Sequence, residues 1–258
     1  MAKPVSAREA FFVGYLRPPR ALRRFPGLLA VVLCAGSLGL ALGVFLAQQS
    51  PAEAGYRGRE DIEGILLAEP YPMVYVPTAD GAGTMVVLTG PPKFGIPAVR
   101  AAELDGQPGQ LKGANLRRGA ARLFQTRVGG RGLRLADPDS TTSDPAGWTV
   151  PEAETLGEYR LQGEIVDSKC FLGAMKPGEG ETHKGCGVFC LVGGIPPYFI
   201  THHADGSFTH YLLADPEGRA VTDGILDYVA DPVAISGQVE RRGDLLIFRI
   251  EPASIQRL

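Results

Sequence analysis

Three cysteines and one histidine crowd into a single stretch of this chain, DSKCFLGAMKPGEGETHKGCGVFCLVGGIPPYF, as Cys170, His183, Cys186 and Cys190. Soft thiolates and an imidazole, gathered without a carboxylate among them, suit zinc, copper or iron–sulfur rather than calcium or magnesium. The expected site is therefore a compact Cys₃His metal centre, with zinc or copper placed ahead of an iron–sulfur cluster. Its spacing is not that of a zinc finger, which uses C-x₂₋₄-C pairs. A two-copper electron-transfer site needs a histidine shortly after the second cysteine, where Leu191-Val192-Gly193-Gly194 stands. Rieske Cys-x-His pairs and the C-x-x-C-H of a covalent haem are absent. A second reading stays open: Cys170 bridges to Cys186 or Cys190, leaving one free thiol, and the three exchange partners. No catalytic residue is predicted, because the chain holds no phosphate-binding glycine loop, no G-x-S-x-G and no H-E-x-x-H.

Such a cluster needs elements to hold it. Thr182 is placed to cap a short helix, and Gly193-Gly194 followed by Pro196 to end it. On that helix His183, Cys186 and Cys190 fall at i, i+3 and i+7, along one face. Cys170 follows an apolar strand and returns through a Gly/Pro loop. His202, His203 and His210 flank the turn Asp205-Gly206 and read as decoration of a hairpin tip.

The exported part reads as a repeat. IEGILLAEPYPMVYV opens the first half, and QLKGANLRRGAARLFQT closes it; LQGEIVDSKC opens the second, and PVAISGQVERRGDLLIFRI closes it. Each half ends in a β-rich run, Arg-Arg-Gly, and another β-rich run, which is a hairpin pattern. With 34 Gly and 21 Pro in 258 residues, short strands and tight turns are favoured over long helices. The fold class is mainly β: an N-terminal transmembrane helix, then two small OB-like barrels, the second carrying the cysteine helix. The boundaries are a basic tail at 1–24, an anchor at 25–48, a first barrel at 60–136, a Pro/Ser/Thr/Asp-rich linker at 137–158 and a second barrel at 159–258. The first unit has Tyr71-Pro72-Met73 and Pro91-Pro92-Lys93 where the second has its cysteine segment. It is expected to be a spacer or docking surface and to take no part in the site.

The cysteine segment resembles a group of bacterial exported OB-fold-like proteins that share a pattern close to G-x-[VI]-V-D-x-x-C-[FY]-L, then H-x-x-C-x-x-x-C-x-x-x-G-x-P. The matching positions are Gly163, Val166, Asp167, Cys170, Phe171 and Leu172, then His183, Cys186, Cys190, Gly194 and Pro196. Tyr211-Leu212-Leu213 fits the group's aromatic-Leu-Leu strand. The resemblance spans roughly 161–250. It implies a small barrel with a cysteine/histidine cluster and names no reaction.

Phe25 to Ala47 contains no charged residue, and at about 1.5 Å per residue it covers the roughly 30 Å core of a bilayer. Lys3, Arg8, Arg17, Arg20, Arg23 and Arg24 precede it, whereas acidic residues appear only with Glu53 and beyond, apart from Glu9. This asymmetry places the N-terminus in the cytoplasm and the bulk on the periplasmic side of the inner membrane. The apolar run is longer than a signal peptide's, and a cleavage site is only loosely offered around Ala47. Ala35, Gly39 and Gly43 recur every four residues, a spacing that lets a second helix approach closely. A formal net charge of −2 gives no field for nucleic acid. The functional expectation is a noncatalytic, membrane-anchored metal-binding or accessory subunit, docked to a larger membrane complex such as a respiratory one. The alternative is a thiol-redox or copper-handling protein.

Overall fold

The computed structural model describes residues 24–47, 54–78, 83–127, 132–136 and 147–258. The basic tail up to residue 23 and the first ten residues of the expected linker lie outside them. The chain divides into an N-terminal unit up to Gln49 and a compact unit from Ser50 to Leu258.

The described part of the first unit is one helix, α1 (Arg24–Ala47). Its span Arg24–Leu46 has mean hydropathy 2.5 and is long and apolar enough to cross a membrane, a property that signal sequences share. Phe25, Leu28, Val31, Leu38 and Leu42 all stand exposed, with apolar side chains on every side of the helix. A helix apolar all round needs an apolar surrounding.

The second unit is two closed five-stranded barrels. The first contains β1 (Ala54–Leu67), β2 (Met73–Val76), β3 (Thr84–Thr89), the short helix α2 (Ala98–Glu103), β4 (Pro108–Arg118), β5 (Ala121–Thr126) and a short β6 (Leu133–Leu135). Strands pair in the order β1-β2-β3-β5-β4, and β4 closes back on β1; β3 and β5 run parallel and the other pairs antiparallel. The second contains β7 (Ala153–Asp167), helix α3 (Lys184–Val192), β8 (Pro197–His202), β9 (Phe208–Ala214), β10 (Pro232–Arg242), β11 (Leu245–Ile250) and β12 (Gln256–Arg257). Its order, β7-β8-β9-β11-β10 closing on β7, is the same circuit, again with one parallel pair. This is the OB arrangement, and closure leaves no open edge in the main circuit.

The repeat extends to single residues. Gly64 in β1 and Gly163 in β7 each lie so close to the next strand that a Cβ would meet the carbonyl oxygen of Tyr75 or Ile200 at 2.1 Å. Gly113 and Gly237 sit the same way in β4 and β10, six residues before the turn glycines Gly119 and Gly243. Those two turn residues have φ of 58° and 60°, the left-handed backbone that glycine adopts at little steric cost. Both first strands start earlier than their apolar patterns indicate, at Ala54 and Ala153, because their exposed leading halves pair with the ends of the β4 and β10 hairpins.

Each barrel has its own core, built on Leu66, Val74, Leu88, Leu111 and Phe124 in one and on Ile165, Phe199, Leu213, Ile235 and Phe248 in the other. A third cluster joins them: Met73, Tyr75, Val87 and Leu123 pack with Phe171, Leu172, Tyr198, Ile200 and Ile247. Arg118, the second arginine of the first Arg-Arg-Gly turn and only 1% exposed, crosses this seam. Its guanidinium lies 4.2 Å from the Phe171 ring centroid and 2.7 Å from Glu179 Oε1. Tyr71 Oη donates to the Val221 carbonyl at 2.7 Å and accepts the Val221 N–H at 2.9 Å. The barrels are thus locked together through a buried, hydrogen-bonded seam.

Candidate metal centre

The cysteine segment fills the connection between β7 and β8, the same place in the circuit where the first barrel has only the short link from Leu67 to Met73. β7 ends at Asp167, and the chain then makes one wide turn over Cys170–Ala174. It returns through a tight turn, Glu181–His183, closed by the His183 N–H on the Gly180 carbonyl at 2.8 Å. α3 follows at once. Thr182 therefore lies inside the turn and makes no cap; His183 holds the capping position without a side-chain capping bond. The helix ends at Gly193-Gly194 as its sequence indicates, with the Ile195 N–H bonded to the Cys190 carbonyl at 3.0 Å.

The four predicted donors come together as two overlapping triads. Donor atoms of Cys170, His183 and Cys186 all lie within 4.8 Å of one another, as do those of Asp167, Cys170 and Cys190. Cys170 and Cys190 are buried with their sulfurs 4.0 Å apart, Cys186 is half-buried, and all three are free thiols. His183, 2% exposed, points Nε2 at Asp167 Oδ2 at 2.7 Å. The other carboxylate oxygen of Asp167 accepts the Cys170 N–H at 2.7 Å. One fully buried carboxylate therefore fixes both the imidazole and the start of the cysteine turn.

Three further side chains belong to the site. Lys93 Nζ, from the loop after β3 in the first barrel, donates to Cys186 Sγ at 3.1 Å. Met175 Sδ lies 3.4 Å from the same sulfur. Lys169, 2% exposed, donates to the carbonyls of Gly90 and Pro92 at 2.8 and 2.7 Å, holding the loop that presents Lys93. The loop meets the end of α3 backbone to backbone: the Gly95 N–H bonds the Gly193 carbonyl at 2.9 Å. A Cβ on Gly193 would fall 2.0 Å from the Lys93 carbonyl oxygen, and one on Gly95 equally close to that of Gly194. The expectation that the first barrel takes no part in the site is thereby corrected. Nothing in the sequence foretold it, since Lys93 lies 93 positions before Cys186 in the other barrel. Asp167, by contrast, stood in the quoted motif three residues before Cys170 and was legible there.

The protonation pattern follows from this packing. The bond with Cys190, burial and the Asp167 carboxylate together push the Cys170 thiol up, while the same bond lowers Cys190. Burial lowers Lys169 to about 8, against the pull of the neighbouring thiols. The hydrogen bond to Cys186 raises half-buried Lys93.

The remaining histidines stay apart from the cluster. His202 pairs with Glu179 at 2.9 Å and His203 with Thr209 at 2.8 Å, at the tip between β8 and β9. His210 tucks under the rings of Tyr198 and Phe208, at 5.2 and 6.2 Å. Chemically, the centre offers soft donors, of which Cys186 is the more accessible, or a set of thiols close enough to exchange. No protein-family model, curated protein or solved structure matches this chain.

Proposed function

We propose that the protein is a noncatalytic, membrane-anchored metal-binding subunit, with its barrels on the periplasmic face of the inner membrane. The observation that carries this reading is the convergence of Cys170, His183 and Cys186 within 4.8 Å, with the Asp167 carboxylate on the imidazole Nε2. Metal-bound histidines donate their second ring nitrogen to just such a carboxylate, which fixes the tautomer and raises ligand basicity. With Nε2 donating to Asp167, the lone pair sits on Nδ1. Zinc and copper both suit the donors. The small-residue stripe Ala35, Gly39 and Gly43 on α1 supports docking to a larger membrane complex, and the resemblance to exported OB-fold-like proteins is part of the same reading.

The test is metal content and free-thiol count on the full chain, purified in mild detergent without chelator or histidine tag. About one equivalent of metal is expected per chain, lost in Cys170→Ser and His183→Ala, the stoichiometry of a single site. A wild-type chain that takes up neither zinc nor copper after reduction and reconstitution would sink the reading. A second reading, thiol exchange, is favoured by one observation: Cys170 and Cys190 touch at 4.0 Å behind the more accessible Cys186. It predicts a disulfide that forms and reduces reversibly in the metal-free protein.

A further inference from the structure

The surroundings of Cys186 bear on which ion the cluster selects. Its sulfur has two close neighbours beyond the expected donors, the Met175 thioether at 3.4 Å and the Lys93 ammonium at 3.1 Å. Met175 lies just past the wide turn, 44% exposed, and turns its sulfur to the thiol. The one carboxylate in the cluster among the described residues, Asp167, has both oxygens engaged, by the Cys170 N–H and by His183. At the open side of the site the available donors are thus sulfur and sulfur.

Zinc is bound by cysteine, histidine and carboxylate, whereas thioether and thiolate together select copper(I). Resting on the metal reading above, we propose that the centre is a copper(I) site in which the Met175 thioether and the Cys186 thiolate form the outer donor pair, with Cys170 behind them. A monovalent ion between two thiolates carries one net negative charge. The Lys93 ammonium beside Cys186 offsets that charge, and Lys169 keeps the Lys93 loop in place through its two carbonyl bonds. The first barrel thereby completes a site whose thiolates all come from the second.

The test uses the full chain in detergent, reduced and handled without oxygen, with copper(I) presented by a chromophoric chelator and zinc(II) titrated separately. Met175→Leu, which keeps size and apolarity, is expected to weaken copper(I) binding at least about tenfold while changing zinc(II) affinity by less than about twofold. Lys93→Gln is expected to weaken copper(I) binding in the same direction, with the melting temperature of both variants close to wild type. If wild type binds zinc(II) but the Met175→Leu chain holds copper(I) as tightly as wild type, the copper assignment is overturned and the metal reading stands. If wild type binds neither ion, the metal reading itself fails and this inference with it.

Discussion

Replacing Gly193 by alanine isolates the contact that brings the two barrels to the site. A Cβ there would fall 2.0 Å from the Lys93 carbonyl oxygen, where ordinary contact begins at 3.4 Å, so the loop and helix end must part by about 1.4 Å. Both atoms belong to backbone, and neither side has a flexible side chain to yield. Overpacking of this kind costs about 1–3 kcal/mol. The Gly95 N–H to Gly193 carbonyl bond at 2.9 Å is strained or lost as well, adding about 1 kcal/mol. The expected destabilisation is about 2–4 kcal/mol, or on the order of 5–15 °C in Tm for a unit of this size. Thermal unfolding followed by far-UV circular dichroism measures it on the full chain in detergent. Gly185→Ala is the internal control: it lies in the same helix, with nothing within 4 Å of its Cβ. It should raise stability by up to about 1 kcal/mol through helix propensity. If Gly193→Ala melts within about 1 °C of wild type, where a cost of 2 kcal/mol predicts several degrees, the barrel–barrel contact described here is wrong.

Two other predictions concern buried polar groups. Asp167→Asn presents an amide where Asp167 Oδ2 receives His183 Nε2 at 2.7 Å; an amide N–H donor there moves the ring proton to Nδ1 and removes the lone pair needed for a metal. Zinc(II) affinity should fall by about 10–100-fold, and an affinity within a factor of about two of wild type in a titration would contradict the assigned role of Asp167. His210 is half-exposed by area, yet lies under Tyr198 and Phe208, and burial lowers it from 6.5 to about 4. The unfolded chain takes up this proton near 6.5 while the folded one does not. Stability therefore declines as pH falls from about 6.5 to about 4, by up to about 3 kcal/mol, and is flat below that for this group. Denaturant midpoints at pH 7 and pH 4.5 should differ less in His210→Phe than in wild type; equal differences would rule the histidine out as the cause.

Much of the fold was legible because it follows from local pattern. The apolar helix needs only length and absence of charge. The duplicated barrels announced themselves through the two Arg-Arg-Gly hairpins, and the spacing of Gly113 and Gly237 from those turns is the same in both halves. The leading halves of β1 and β7 were hidden because their side chains face solvent and carry no apolar alternation. Thr182 has the chemistry of a cap but lies within the turn that delivers His183, a matter of backbone path.

The sequence by itself determined the candidate donors: Cys170, His183, Cys186 and Cys190 lie within about twenty residues, and helical spacing brings Cys186 and Cys190 to one face, with His183 at the capping position before them. It also determined that these donors are soft, because residue type fixes that property wherever the chain goes. Only the tertiary structure decided what surrounds them. Arg118 looked like half of a hairpin turn and is the guanidinium between the barrels. No local pattern marks Lys93 or Lys169; packing brings Lys93 to Cys186 and buries Lys169 against the loop that carries it. Contacts between residues far apart in the chain leave no periodicity in it, so a pattern reading finds the donors and misses the charges that complete the site.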